Sequence, residues 1–114
     1  MKTTIITLIL LFSLNSPIFG GNIYVVDYKP EATVKIYQTD YKYEANLWVY
    51  ISSYKPDAKG VDYIWYYTNY KYESGTHKII FVNNKNEADI IVYFTKYKPE
   101  AKWNKPNKFV GTFK

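Results

Sequence analysis

At 114 residues the chain has room for one small domain, and with no cysteine it can hold neither a disulfide framework nor a thiolate site. Fifteen lysines and no arginine stand against ten acids, a net charge of +5. The lysines are spread along the chain and no guanidinium is present to fork onto base edges, so they read as a solvated surface and exclude a nucleic-acid reader.

The first twenty residues differ in kind from the rest. Lys2 gives a positive start, residues 5–14 are apolar apart from Thr7 and Ser13, and residues 17–20 end on a small residue. That is the pattern of a secretory signal peptide cleaved near Gly20, and the apolar run is shorter than the roughly 20 residues of an ordinary membrane span. The expectation is an exported protein, periplasmic or extracellular. Its mature part, residues 21–114, is one domain of net charge +4 with no stable membrane span.

From there a five-residue phrase, Tyr28-Lys29-Pro30-Glu31-Ala32, organises the chain. Written as x-Lys-x-acid-small, it returns at Tyr41, Tyr54, Tyr70, Asn84 and Tyr97, with starts separated by 13, 13, 16, 14 and 13 residues. A near-constant period marks a repeat architecture, and 13 residues hold one strand and one tight connection, far short of the roughly 40 of a propeller blade. The segments between phrases, 23–27, 34–40, 47–53, 63–69, 77–83 and 90–96, are rich in β-branched and aromatic residues and read as strands. Residues 109–113, Phe-Val-Gly-Thr-Phe, form a last apolar segment and the seventh strand candidate. No helix is expected. The fold class is all-β, a compact ring of about seven short strand-turn repeats, with units near 23–33, 34–46, 47–62, 63–76, 77–89 and 90–103 and a closing segment at 104–114.

Aligned on the phrase, the units serve as their own comparison. Five residues before it stand Ile23, Ile36, Val49, Trp65, Ile79 and Val92, and one residue later Tyr24, Tyr37, Tyr50, Tyr66, Ile80 and Tyr93. Successive strand residues point to opposite faces. The first row therefore forms a core, thickened by Val34, Leu47, Tyr63, His77 and Ile90, and the tyrosine row faces the other way. The phrase reads as a turn: Pro30, Pro56 and Pro99 fix φ at its centre and remove a donor. The small residue that closes it suggests a close approach to neighbouring backbone. Its Lys and acid read as a solvated turn with a weak ion pair, the alternative being a ring of alternating charge that holds a ligand. The fourth unit is longer, with residues 59–62 added after Ala58 and Gly75 after Ser74, and reads as loop of unconstrained length.

The repeated apolar-Tyr-apolar strand followed by Tyr-Lys-x-Glu-Ala, together with Tyr97-Lys98-Pro99-Glu100-Ala101-Lys102-Trp103-Asn104-Lys105, resembles the septoil-knot domain. That is a seven-repeat, all-β domain of small exported bacterial proteins without an assigned activity. The likeness covers about residues 23–108. It departs in the fifth unit, where Asn83-Asn84-Lys85-Asn86 replaces the Asp-Tyr-Lys form, and in the lengthened fourth. The resemblance implies a compact ring whose chain is deeply knotted, and it transfers no catalytic residue.

His77 is the only histidine and stands where other units place Val, Leu, Tyr or Ile, so it reads as a packed strand residue rather than a member of a triad or metal site. The acids are spread one per turn rather than paired, and no phosphate or calcium loop is present. The expectation is a non-enzyme without cofactor, metal or catalytic residues. It is a rigid monomeric β ring presenting Tyr and Lys to another exported protein or an envelope glycan. The candidate binding residues are Tyr24, Tyr37, Tyr50, Tyr66 and Tyr93, and the alternative reading is a carbohydrate-binding module, because tyrosine rings beside Lys, Asn and Asp can hold sugars.

Overall fold

The structure is a computed structural model that describes residues 21–114; the signal-peptide reading of residues 1–20 lies outside the described residues. Seven strands alternate with tight turns: β1 (Asn22–Val25), β2 (Val34–Gln38), β3 (Leu47–Ile51), β4 (Ile64–Tyr67), β5 (Thr76–Phe81), β6 (Ile90–Phe94) and β7 (Lys102–Trp103). The first six are the segments expected from the β-branched and aromatic runs. Each stops two residues earlier than the run of strand-forming residues suggests, because the chain turns at the side chains of Val26, Thr39, Ser52, Thr68, Val82 and Thr95.

Six strands close into a parallel ring in the order β4-β1-β5-β2-β6-β3, with β3 pairing back onto β4. Consecutive strands are almost never neighbours. Val25 and Val34 lie on opposite sides of Ile79, so the connection 26–33 must cross over β5 to reach β2. By the same register, connection 39–46 crosses β6 at Val92, 68–75 crosses β1 at Ile23, and 82–89 crosses β2 at Ile36. The crossing passes outside the ring. Ile79 faces the core, whereas Ile80, on the other face of β5, packs with Val26 and Val82 against Ala32 and Ala88 of the connections. Each half of the chain thus lies over strands of the other. The strands are buried on both faces, which is the condition under which parallel sheets are stable.

The inner face is the expected row. Ile23, Ile36, Val49, Trp65, Ile79 and Val92 are fully buried, with Val34, Leu47 and Ile90 beside them. Ten such side chains fill the ring, and at roughly 1.5–3 kcal/mol each their burial is the main force holding a disulfide-free domain together. His77 and Tyr63, placed in the same row by sequence, are only half-buried at its rim.

The seventh repeat breaks the pattern. The seventh strand is not residues 109–113 but β7, two residues antiparallel to β3 with Leu47 opposite Trp103. It sits beside the first half of β3, while β4 takes the second half through Tyr50 and Ile64. Residues 109–113 form turns instead, and they insert Phe113, fully buried, against Trp65 at 5.2 Å and edge-on to His77 at 5.5 Å. The ring is therefore closed by β3 on β4 and plugged by Phe113, rather than completed by a last strand.

What holds the plug is Asp62, from the extension that the sequence suggested was loop of unconstrained length. Its buried carboxylate accepts from Trp103 Nε1 (2.9 Å) and from the backbone N–H of Gly111 (2.6 Å), Phe113 (2.9 Å) and Lys114 (3.1 Å). Its own carbonyl accepts from Trp65 Nε1 at 2.9 Å. Four donors on one carboxylate satisfy a charge that would otherwise be costly to bury.

Candidate functional site

Each phrase forms a single turn of 3-10 helix or, at residues 70–74, a simple turn, in which the acid's N–H donates to the carbonyl at the phrase's first residue. Proline falls at the first turn of such a helix, where the N–H has no partner inside the element anyway, which explains Pro30, Pro56 and Pro99. Ala45, Ala58 and Ala101 are buried and Ala32 and Ala88 partly so, in line with a close approach, but Ser74 is exposed.

The turns are locked from behind by residues the sequence reading left without a role. Thr39, Ser52, Thr68 and Thr95, two positions before the phrase, are buried, and each side-chain oxygen accepts the N–H of the following tyrosine at 3.0–3.1 Å. Each hydroxyl also donates to the acid of its own phrase: Glu44, Asp57, Glu73 and Glu100. Units one and five have Val26 and Val82 there, and Asn84 caps the fifth turn itself by accepting the N–H of Asn86. The alignment of units carried this signal, a hydroxyl in four of six copies.

The charges pair between turns rather than within them. Lys29 meets Glu87, Lys85 meets Glu44, Lys42 meets Glu100, Lys98 meets Asp57 at 3.1 Å, Lys55 meets Glu73, and Lys71 meets Glu31. Followed from pair to pair, the units run 1, 5, 2, 6, 3, 4 and back to 1, which is the order of the strands around the ring. The six turns thus form a continuous belt of alternating charge outside the sheet. The Lys85 ammonium and the Thr39 hydroxyl hold the Glu44 carboxyl below the usual range; Ser52 and Lys98 do the same for Asp57, Lys55 and Thr68 for Glu73, and Lys42 and Thr95 for Glu100. Lys42, Lys71 and Lys85 are raised by hydrogen bonds to Glu100, Glu31 and Glu44.

Tyr24, Tyr37, Tyr50, Tyr66 and Tyr93 lie on the outer face of the strands, as alternation requires, but half-buried, because the connections cross that face. Lys71 lies 5.9 Å over the Tyr24 ring and Lys85 5.9 Å over Tyr37, so these rings support the belt's cations from below. The exposed aromatics are others. Tyr28, Tyr41, Tyr54, Tyr70 and Tyr97 open the turns, and with Tyr43 and Tyr72 they are 64–83% exposed. Tyr67 borders a shallow cleft of about 320 Å³ with Tyr24, Val25 and Asn69, and partial burial raises its hydroxyl pKa. His77, lowered by burial against the opposing pull of Asp62, is turned to Phe113 and not to that cleft.

Among the described residues no group of three His, Asp or Glu side chains is placed to hold a metal ion, and no helix is long and apolar enough to cross a membrane. What the belt can do chemically is bind, through exposed rings flanked by neutralised charge. Neither curated proteins nor solved structures give a significant match to the chain. The model of the 7(1) septoil knot domain matches residues 20–104, from the start of β1 to just past β7, leaving the plug outside it. The interlocked ring of repeats, with this match over most of its length, places the chain in the septoil knot domain family.

Proposed function

We propose that this protein is an exported, non-enzymatic interaction module whose working surface is the belt, with its tyrosine rings and paired lysines. The observation that carries the reading is the row of exposed tyrosines at the openings of five of the six turns, on a frame fixed by the sheet beneath. Tyrosine gives large contact area at low entropic cost, and an aromatic set this exposed has no use in the core. Of the half-buried row of Tyr24, Tyr37, Tyr50, Tyr66 and Tyr93, Tyr24 and Tyr37 take part from beneath, by fixing Lys71 and Lys85, which lie over them. Export follows from residues 1–20, and detection of the chain in the periplasm or medium with a start near Gly21 tests it; retention of the full chain in the cytosol would overturn it.

For the partner, an envelope polysaccharide is favoured by the neutrality of the belt. Each exposed ring neighbours a Lys–acid pair whose net charge is zero, and such a surface stacks on a sugar face while offering donors and acceptors to its hydroxyls. A glycan array probed with the purified domain tests this. Binding to uncharged repeating glycans at millimolar affinity or better is expected, and silence across the array would leave a protein partner as the reading.

A further inference from the structure

Phe113 plugs the end of the ring where the strands begin. At the end where they finish, one more inward layer stands on the core. The register sets Val25 beside Ile79, Phe81 beside Ile36, Gln38 beside Val92, Phe94 beside Val49, Ile51 beside Trp65 and Tyr67 beside Ile23. Each is two residues past the core residue of its own strand and so points inward with it. This layer is covered on one side and open on the other. Ile51 and Phe94, on β3 and β6, pack into the core, with Phe94 5.7 Å from Trp65 and 6.3 Å from Phe81. On the adjoining β4, β1 and β5, Tyr67, Val25 and Phe81 are 41, 43 and 36% exposed, and Gln38 on β2 is exposed as well. The cleft of about 320 Å³ opens here, between Val25 and Tyr67.

The lip of the open arc is polar. Thr68, Val26, Val82 and Thr39 still donate their N–H groups into the ladder, to Ile23, Ile79, Ile36 and Val92. Asn69, Asp27, Asn83 and Asp40 therefore emerge where the ladder ends, two residues past the open layer and on its side, and all four are exposed. Asn69 lines the cleft. Of the ten acids in the chain, six are tied into the belt, Asp62 holds the plug and Asp89 accepts the Lys35 N–H. Asp27 and Asp40 are the two whose carboxylates have no partner among the described residues. They flank Asn83 and Phe81, because β5 runs between β1 and β2. The one lysine at the equivalent position, Lys96, follows β6 on the covered side.

We propose that this open mouth receives a compact organic cation, an ammonium group on an apolar body. The ammonium lies over Phe81 between the Asp27 and Asp40 carboxylates, and the body lies against Tyr67 and Val25. Charge decides the occupant: two unpaired carboxylates beside an exposed ring attract a cation through both ion pairing and the ring face, whereas a neutral sugar would gain nothing from the charges. Size decides against a second copy of the chain. The open layer offers apolar surface on the order of 300 Å², short of the roughly 800 Å² per partner of a stable protein interface, while a cleft of about 320 Å³ is within the range of small-molecule sites. The mouth lies inside the ring and the belt outside it, so this inference does not rest on the belt reading.

The test is an NMR titration of the purified protein with benzylamine, and with benzyl alcohol and benzoate as its neutral and anionic counterparts, following the backbone amides. Benzylamine should shift the amides of Asn69, Phe81 and Asn83 and bind about tenfold more tightly than benzyl alcohol, with benzoate weakest and the gap closing as salt is added. The D27N/D40N variant, changed at exposed positions, should keep the melting temperature and bind amine and alcohol alike. Phe81→Leu, which keeps apolar bulk and removes the ring, should weaken benzylamine several-fold, and Lys96→Gln should hold it at least as tightly as the unaltered protein. Variants of the exposed belt tyrosines should bind benzylamine as before, which separates failure here from failure of the belt reading. Equal binding of amine and alcohol, an unaffected D27N/D40N variant, shifts confined to the belt, or methyl glucoside binding at the mouth more tightly than benzylamine would each overturn the proposal.

Discussion

The belt and the plugged seam hold the same ring closed in opposite ways. On the belt, six copies of one turn share their charges around a circuit, each lysine and acid exposed in part and four of the six acids backed by a hydroxyl of their own unit. At the seam there is no repetition: one buried carboxylate, Asp62, gathers a tryptophan and three backbone amides from residues up to 52 positions away. A repeated contact can lose one copy and keep its geometry. A unique buried contact cannot, and the stability of the fold should be distributed accordingly.

The largest effect is expected at the seam. Replacing Asp62 with Ala leaves four donors unpaired, three of them backbone, and should cost more than roughly 4 kcal/mol, a large part of what a domain of this size has. Urea unfolding measures it, and a loss below about 1 kcal/mol would mean that the plug is held by something else. Phe113→Ala follows, at about 3–5 kcal/mol, because it empties the end of the core against Trp65 and His77. Deleting residues 109–114 should lower stability by a similar or larger amount through the opened core, without freeing a sheet edge, since β3 still pairs with β4.

Next come the hydroxyls behind the turns. Thr39→Ala or Thr95→Ala removes one bond to a tyrosine N–H and one to the acid, a loss of about 1–2 kcal/mol. Thr→Val should cost less than Thr→Ala, because Val26 and Val82 fill the same place in units one and five. If Val were the worse replacement, hydrogen bonding rather than packing would dominate this position.

The smallest effects belong to the belt charges. Glu100→Gln or Lys42→Gln alone should shift the melting temperature only slightly, since partly solvated ion pairs contribute little each, and their collective weight is visible only in the pH profile. The four lowered carboxyls add stability that is present above the unfolded carboxylate pKa and is lost as pH falls through their folded values, below about pH 4. His77, lowered by burial, starts the acid-side loss sooner, as pH falls below about 6.5. The raised Lys42, Lys71 and Lys85, with Tyr67, act on the other side: their contribution is present below about pH 10 and lost as pH rises through their folded values. A stability plateau between roughly pH 6.5 and 10 is expected, and a maximum near pH 5 would contradict the assignment.

The contrast also explains what could be read in advance. Where the chain repeats, six copies average out local accident, and the core row, the strand starts and the turn chemistry were all legible from alignment of the units. Thr39, Ser52, Thr68 and Thr95 lay in the same alignment but were masked by valine in two copies. The exposed Tyr28, Tyr41, Tyr54, Tyr70 and Tyr97 were passed over for the strand row, because only the crossing connections decide which tyrosines are covered, and a crossing is a long-range fact. The seam occurs once, so nothing in the sequence could set Asp62 beside Gly111 or tell that residues 109–113 plug the ring instead of joining it. Contacts between residues this distant in the chain also imply slow folding for a domain of this length.

The most direct test of the account is one variant with Tyr28, Tyr41, Tyr54, Tyr70 and Tyr97 changed to Ser, compared with the unaltered protein in thermal unfolding and in sedimentation with purified envelope polysaccharide. The belt reading predicts an unchanged melting temperature, since these rings are exposed, and a loss of sedimentation. Retained binding, or a variant that unfolds, would show that the exposed tyrosines serve the fold and not a partner.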